Sequence, residues 1–294
     1  MKKIYLLAAI AALSVGCQNN DIAERAGEMR FDALLPTATR VAGTSFESGD
    51  VMGVYVTRYS GTTPALLQLS GNHANNAAVA YNGTSWVSTP SIYWTDDKCD
   101  VYAYYPYAKP TSVDEYLFTV AADQSTAKEG DIPGGYEASD FLWAKATAVT
   151  QGGTDGAVKL NFRHCMSRFV VNLKKGEQYE GNLPDDAMVR IHNTVPEATI
   201  DLATGTVTRH PYESVKSITA KPLGTGSYAA IIVPQRIEFR LPLIEVIAKG
   251  VSYLVESAFV FKPGVQYTYT LTLNNDPDKV KIDIGGEIEG GWAE

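Results

Sequence analysis

From Met29 onward the chain alternates. Met29, Phe31, Ala33 and Leu35 stand between Arg30, Asp32 and Leu34, and a period of two puts successive side chains on opposite faces of an extended strand. The same beat returns over Val51–Val56 behind the Gly49-Asp50 turn, over Val101–Tyr105 until Pro106 ends it, and over Tyr116–Val120. Val158, Leu160 and Phe162 face away from Lys159, Asn161 and Arg163, and Phe169–Leu173 follows after a bend near Ser167. Further strands are predicted over Ala198–Leu202, Tyr228–Val233, Ile237–Ile247 (interrupted by Pro242) and Tyr253–Phe261. The cleanest runs over Gln266–Leu273, where Tyr267, Tyr269, Leu271 and Leu273 alternate with three threonines, and Val280, Ile282 and Ile284 form a last short strand before Gly285-Gly286. No window carries an i, i+3, i+4 stripe for more than about two turns. About a dozen short strands between Gly, Pro, Asn and Asp clusters predict an all-β fold, an antiparallel sandwich.

A seven-stranded sandwich uses about 100 residues, so the 278 residues left when 1–16 are set aside from 294 divide naturally into two. The polar stretch Lys174–Gly181 is the expected joint, and the Asp-, Ser- and Gly-rich stretch 121–137 is expected to be a surface loop of the first domain. The predicted organisation is residues 1–16 as a signal peptide, 17–27 as a tether, 28–175 as an N-terminal sandwich and 176–294 as a C-terminal one.

The first residues belong to targeting, not to the fold. Lys2 and Lys3 precede an apolar run from Ile4 to Val15, too short to span a membrane but suited to export. Leu13-Ser14-Val15-Gly16-Cys17 resembles a bacterial lipobox, with Ser14 where a leucine is usual, and the polar Gln18-Asn19-Asn20-Asp21 follows. The expectation is acylation of Cys17, which anchors a protein to a membrane without spanning it. The plainer alternative is an ordinary signal peptide containing a cysteine.

Composition narrows the function. Hydrophobic residues at 45% and charged residues at 20% are those of a globular chain, which argues against disorder. A net charge of −8 argues against a nucleic-acid partner, because phosphate binding needs a basic face. Seventeen tyrosines, many beside Thr or Val, reinforce the strand assignment. Cys99 and Cys165 are left in an exported setting, either as buried free thiols or as a pair whose geometry sequence cannot supply.

Candidate chemistry is sparse. His73, His164, His192 and His210 stand in no metal-binding spacing, and no nucleophile elbow or phosphate-cradling loop occurs. Asp96-Asp97 with Asp100, and Asp185-Asp186, lack the oxygen-ligand spacing of a calcium loop and read as solvated turns. Trp86, Trp94 and Trp143 are candidates either for sugar stacking or for a sandwich core. Neither a catalytic residue nor a cofactor is predicted.

An ordered set of segments carries more information than any one motif. After the lipobox come Thr39-Arg40, Phe46–Tyr55, Ser91-Ile92-Tyr93-Trp94, Val101–Tyr107, Asp140–Ala144, Val158–His164 with Met166-Ser167-Arg168, and Tyr267–Leu271. In order and spacing the chain resembles the fimbrillin-like lipoproteins of Bacteroidetes, the subunits of the type V pilus, with Phe46 where that family more often has Trp. The resemblance implies two tandem transthyretin-like β-sandwich domains, a lipid-anchored precursor at the cell outer membrane, and fimbrial subunits as partners joined by strand donation. An incoming strand there fills a groove opened when a protease removes the first strand by cutting after a basic residue. Arg40, behind the Met29–Leu35 strand, is the expected cleavage point and Arg30 the runner-up; in an anchor subunit Arg40 would be an ordinary surface residue. Val280, Ile282 and Ile284 are either the donor strand or the last strand of the chain's own second domain. The rival expectation is a surface glycan-binding lipoprotein without catalysis.

Overall fold

The computed structural model describes residues 27–35, 46–95, 97–130, 132–154, 156–224 and 226–289. Its first half contains β1 (Phe31–Leu34), β2 (Val51–Ser60), β3 (Thr63–Pro64), β4 (Ala74–Tyr81), β5 (Trp86–Thr89), β6 (Cys99–Tyr105), β7 (Tyr116–Thr119), the five-residue helix α1 (Gly135–Ser139), β8 (Leu142–Val149), β9 (Val158–Asn161) and β10 (Arg163–His164). Then come β11 (Ser167–Lys175), β12 (Met188–Thr194), β13 (Glu197–Asp201), β14 (Thr206–Arg209), β15 (Lys216–Thr219) and β16 (Lys221–Gly224). The chain continues through β17 (Ser227–Ile232), β18 (Gln235–Ala248), β19 (Val251–Phe261), β20 (Val265–Leu273) and β21 (Lys281–Glu289). The fold is all-β, as the period of two predicts.

Two packed assemblies account for most of these strands. In the first, a sheet ordered β10-β8-β6-β2-β4-β5 buries Met52, Val54, Val79 and Val101 against the small β1-β9 pair, which contributes Phe31, Val158 and Leu160. In the second, the sheets β16-β17-β11-β20-β21 and β15-β12-β18-β19 share a core that includes Phe169, Ile191, Ile244 and Leu271. β11 lies between β17 and β20 and is apolar on both faces, Phe169, Val170 and Val171 all being buried, as a central strand covered on both sides must be. Most pairings are antiparallel, but β1 pairs with β9 and β11 with β20 in parallel.

Strand partners change between β10, which pairs with β8, and β11, which pairs only with later strands. The polar stretch 174–181 therefore connects β11 to β12 within the second assembly, where Gly176 N donates to Leu273 O at 2.8 Å. Stretch 121–137 is exposed over most of its length, but its start is tied to the second half. Thr219 N donates to Ala122 O at 2.8 Å and Gln124 N to Thr219 O at 2.9 Å, while β7 pairs with β13. This segment of the first half thus braces the second, because a fully buried Gln124 finds its amide partners there. A second tie is made by Trp143, whose Nε1 donates to Leu202 O at 2.7 Å. Arg163 stacks 4.9 Å from the Trp143 ring and donates to Thr204 O and Gly205 O.

Cys99 and Cys165 are free, buried thiols in different hydrophobic clusters.

Candidate functional site

The chain enters the first assembly through residues 27–35. Trp94 N donates to Gly27 O at 2.9 Å, Met29 N to Ile92 O at 2.7 Å, Val158 N to Arg30 O at 2.7 Å and Phe162 N to Leu34 O at 2.8 Å. The segment thus lies between residues 92–94 and β9, bonded to both. The alternation read from sequence sets its faces: Met29 and Phe31 are 2% and 5% exposed, whereas Arg30 and Asp32 face solvent. Beneath them lie Trp86, Ile92, Trp94, Val158, Leu160 and Phe162. Each of the two large buried side chains contributes about 1.5–3 kcal/mol of apolar burial.

Removing this segment would uncover a continuous apolar trough. It would also leave the amides of Trp94, Val158 and Phe162 and the carbonyl of Ile92 without their partners. Unpaired strand edges beside buried apolar surface are what an added strand satisfies. Phe46 closes one end of the trough, edge-on to Trp86 at 4.9 Å and to Phe162 at 5.7 Å between ring centroids.

At the other end of the chain β21 is an edge strand, antiparallel to β20 from Thr272↔Lys281 to Val265↔Glu289, with a register shift at Gly285. Val280 packs partly against the core, Ile282 is 41% exposed, and Ile284 is paired through its backbone with Tyr269. Among the described residues the strand is held along one side only. Arg30 is exposed, while Cys17 and Arg40 lie outside the described residues.

The other sequence candidates are occupied structurally. Trp86 and Trp94 are core residues and Trp143 is engaged at the inter-half tie, so these three do not form an exposed platform. His164 bonds Asp140 at 2.9 Å, His192 bonds Glu245 at 3.1 Å, and His73 bonds Tyr93 O at 2.7 Å. Among the described residues no group of three His, Cys, Asp or Glu side chains could hold a metal ion, and no helix is long and apolar enough to cross a membrane. Sequence reasoning missed the contacts of Gly27 and Met29 with residues 92–94; Ser91-Ile92-Tyr93-Trp94, with one strongly apolar face, was the available signal.

The fold is thus an all-β one, with an apolar trough beneath residues 27–35 near one end of the chain and an edge strand, β21, near the other. A family model described as fimbrillin-like matches residues 39–291, and the chain belongs to that family. It is 28% identical over 202 residues to a candidate fimbrium tip subunit, Fim1C, of Bacteroides ovatus, an alignment covering 58% of this chain and 35% of that protein. The chain thus aligns with about a third of that relative's length. Among solved structures it is similar to a candidate cell adhesion protein from Bacteroides ovatus, with TM-score 0.69 and 19% identity over 92% of this chain and 99% of the other. One from Bacteroides uniformis gives 0.64 and 20%, over 90% and 98%. At those identities the likeness is one of fold.

Proposed function

We propose that the protein is a structural and adhesive subunit of a cell-surface fimbrium. In this reading it is exported as a lipoprotein acylated at Cys17, held at the outer membrane, and organised as two sandwich units. Cleavage after Arg40 removes β1, and the opened trough takes a strand from another fimbrial subunit. β21, with Val280, Ile282 and Ile284, is the strand this subunit donates in turn. The observation that carries the reading is the seat of β1, a short separable strand whose loss exposes both an apolar trough and unpaired amides. The family match begins at residue 39, just behind that strand.

The decisive experiment compares the chain from Cys17 with one lacking residues 18–40. The longer chain should remain monomeric by light scattering, and the shorter should assemble or bind a donor-strand peptide. A truncated chain that folds yet does neither sinks the assembly mechanism. Intact mass and N-terminal sequencing of protein from its native surface then decide processing, since a start at Val41 requires the cut and a lipidated Cys17 start means it has not occurred.

A further inference from the structure

On the outer face of the four-stranded sheet, one side chain from each strand joins a continuous polar row. Ser217 Oγ on β15 lies 2.6 Å from His192 Nδ1 on β12, His192 Nε2 lies 3.1 Å from Glu245 Oε2 on β18, and Ser252 Oγ on β19 donates to Glu245 Oε1 at 2.8 Å. Arg190 stands 3.7 Å from the same carboxylate. Their neighbours in sequence, Ile218, Ile191, Ile244 and Tyr253, all point into the core, so the row belongs to the solvent face. Yet the side chains of His192 and Glu245 are only 20% and 18% exposed.

The row is recessed because the sheet is locally bent. β12 shifts register against β15 between Ile191 and Thr194, and β18 shifts against β19 between Pro242 and Ile244. Asn193 sits in the first shift with φ of 57° and donates through Nδ2 to Pro242 O at 2.7 Å, locking the two irregularities together. Bulges of this kind re-aim side chains and recur beside functional sites. The result is a dent of about 370 Å³, near the lower end for small-ligand sites. Val215 and Leu254, both roughly half exposed, stand at its edge. Surface ion pairs contribute little to stability, about 0–1 kcal/mol, so stability gives little reason for such a row.

Its chemistry selects a ligand. Glu245 offers two acceptor oxygens with lone pairs to spare, the Ser217 hydroxyl keeps hydrogen-bonding capacity beyond its bond to His192, and the dent has an apolar border. The charges nearly balance, Arg190 and Lys216 standing against Glu245 and Glu213, which disfavours a strongly charged ligand. Adjacent hydroxyls on a ring with an apolar C–H face match that set. We propose that this dent binds a neutral saccharide, with neighbouring hydroxyls on Glu245 and Ser217, which His192 holds in place between them, and the ring's C–H face against Leu254 and Val215. The proposal rests on the adhesive part of the function above and is independent of strand exchange.

Saturation-transfer NMR on the monomeric chain from Cys17 to Glu294 tests it, with the methyl glycosides of galactose, glucose, mannose, fucose and N-acetylglucosamine as probes. At least one should receive saturation, with a Kd on the order of 1 mM. Glu245→Gln and His192→Ala should each weaken it about tenfold, whereas Leu66→Ala, on a distant exposed loop residue, should not. Three outcomes overturn the proposal. They are silence from all five probes on a chain with a native melting profile, binding undiminished in both variants, or Ser217-dependent release of p-nitrophenol from p-nitrophenyl acetate, which would make the row an acyl-transfer site. Fibres without saccharide binding would remove this inference alone, and saccharide binding without fibres would remove the strand-exchange mechanism alone.

Discussion

The carboxamide of Gln124 pairs with both backbone groups of Ile231: Nε2 donates to Ile231 O at 2.7 Å and Oε1 accepts from Ile231 N at 2.7 Å. A side chain here does what a neighbouring strand would do. β16 reaches β17 only as far as Ala229, so beyond that point the outer edge of β17 is completed by an amide from the other half of the chain. Buried backbone groups left unpaired cost about 1–3 kcal/mol each. Gln124→Ala should therefore destabilise the protein by about 2–4 kcal/mol, read as a drop of several degrees in a thermal melt. A melt within one degree of wild type would mean that water replaces the amide.

Gly205 permits the tie between the two halves. Its φ is +68°, and a Cβ there would lie 2.5 Å from Cδ2 of Trp143. Gly205→Val is expected to cost more than the ~1 kcal/mol of an αL penalty alone, because the indole must move off Leu202 O. Tryptophan emission should shift to the red at temperatures below the melt. Unchanged emission with lowered stability would confine the effect to the backbone.

The first strand is held chiefly by two side chains. Phe31→Ala should cost about 3–5 kcal/mol and Met29→Ala about 2–5 kcal/mol if the trough cannot collapse. In hydrogen exchange, the amides of Trp94, Val158 and Phe162 should lose protection first. Protection lost evenly across the sheet would mean that β1 is not a separable element.

Neither thiol should be reactive in the folded state. Burial pushes the Cys165 thiol up to about 12 and raises that of Cys99, so both stay neutral while ordinary thiols ionise near pH 8.5. Peptide-level mass spectrometry after iodoacetamide at pH 8 should find both unlabelled until denaturant is added. Because the unfolded chain ionises first, their burial also lowers stability once the pH passes the ordinary thiol value.

Glu245 sets an acid limb. The Ser252 hydroxyl, then His192 and Arg190, hold its carboxyl below the usual range. A depressed folded value stabilises above the ordinary carboxylate range, and that contribution disappears as the pH falls through the folded value. Between about pH 5 and 3, Glu245→Gln should therefore lose less stability than wild type. Parallel melting curves for the two proteins over that window would contradict the assignment.

Sequence made the strongly periodic strands legible, and β20 is the clearest case: Tyr267, Tyr269, Leu271 and Leu273 are all buried. β4 was not legible. Its inward residues are Ala74, Ala77 and Val79, and alanine carries little strand preference. Pro242 reads as an interruption, yet β18 runs through it; the missing N–H falls beside a register shift, where a proline is tolerated. Gln124 gave no signal at all, since its role depends on Ile231, 107 residues away. The β1 trough was half visible, as a strand with an apolar face but no indication of its partners. The dent around His192 could not be read, because it is made by bulges that single-strand patterns do not encode.

The parallel pair at the centre of the second assembly has one more consequence, for the order of events. Arg168 and Gln266 are register partners, so β11 waits for a strand made nearly a hundred residues later. Contacts of such sequence separation form slowly, and a chain emerging from its N-terminus cannot complete this sheet before Leu273 has appeared. β11, apolar on both faces, must spend that interval uncovered or on other partners, which makes it the segment most in need of protection while the protein is being made.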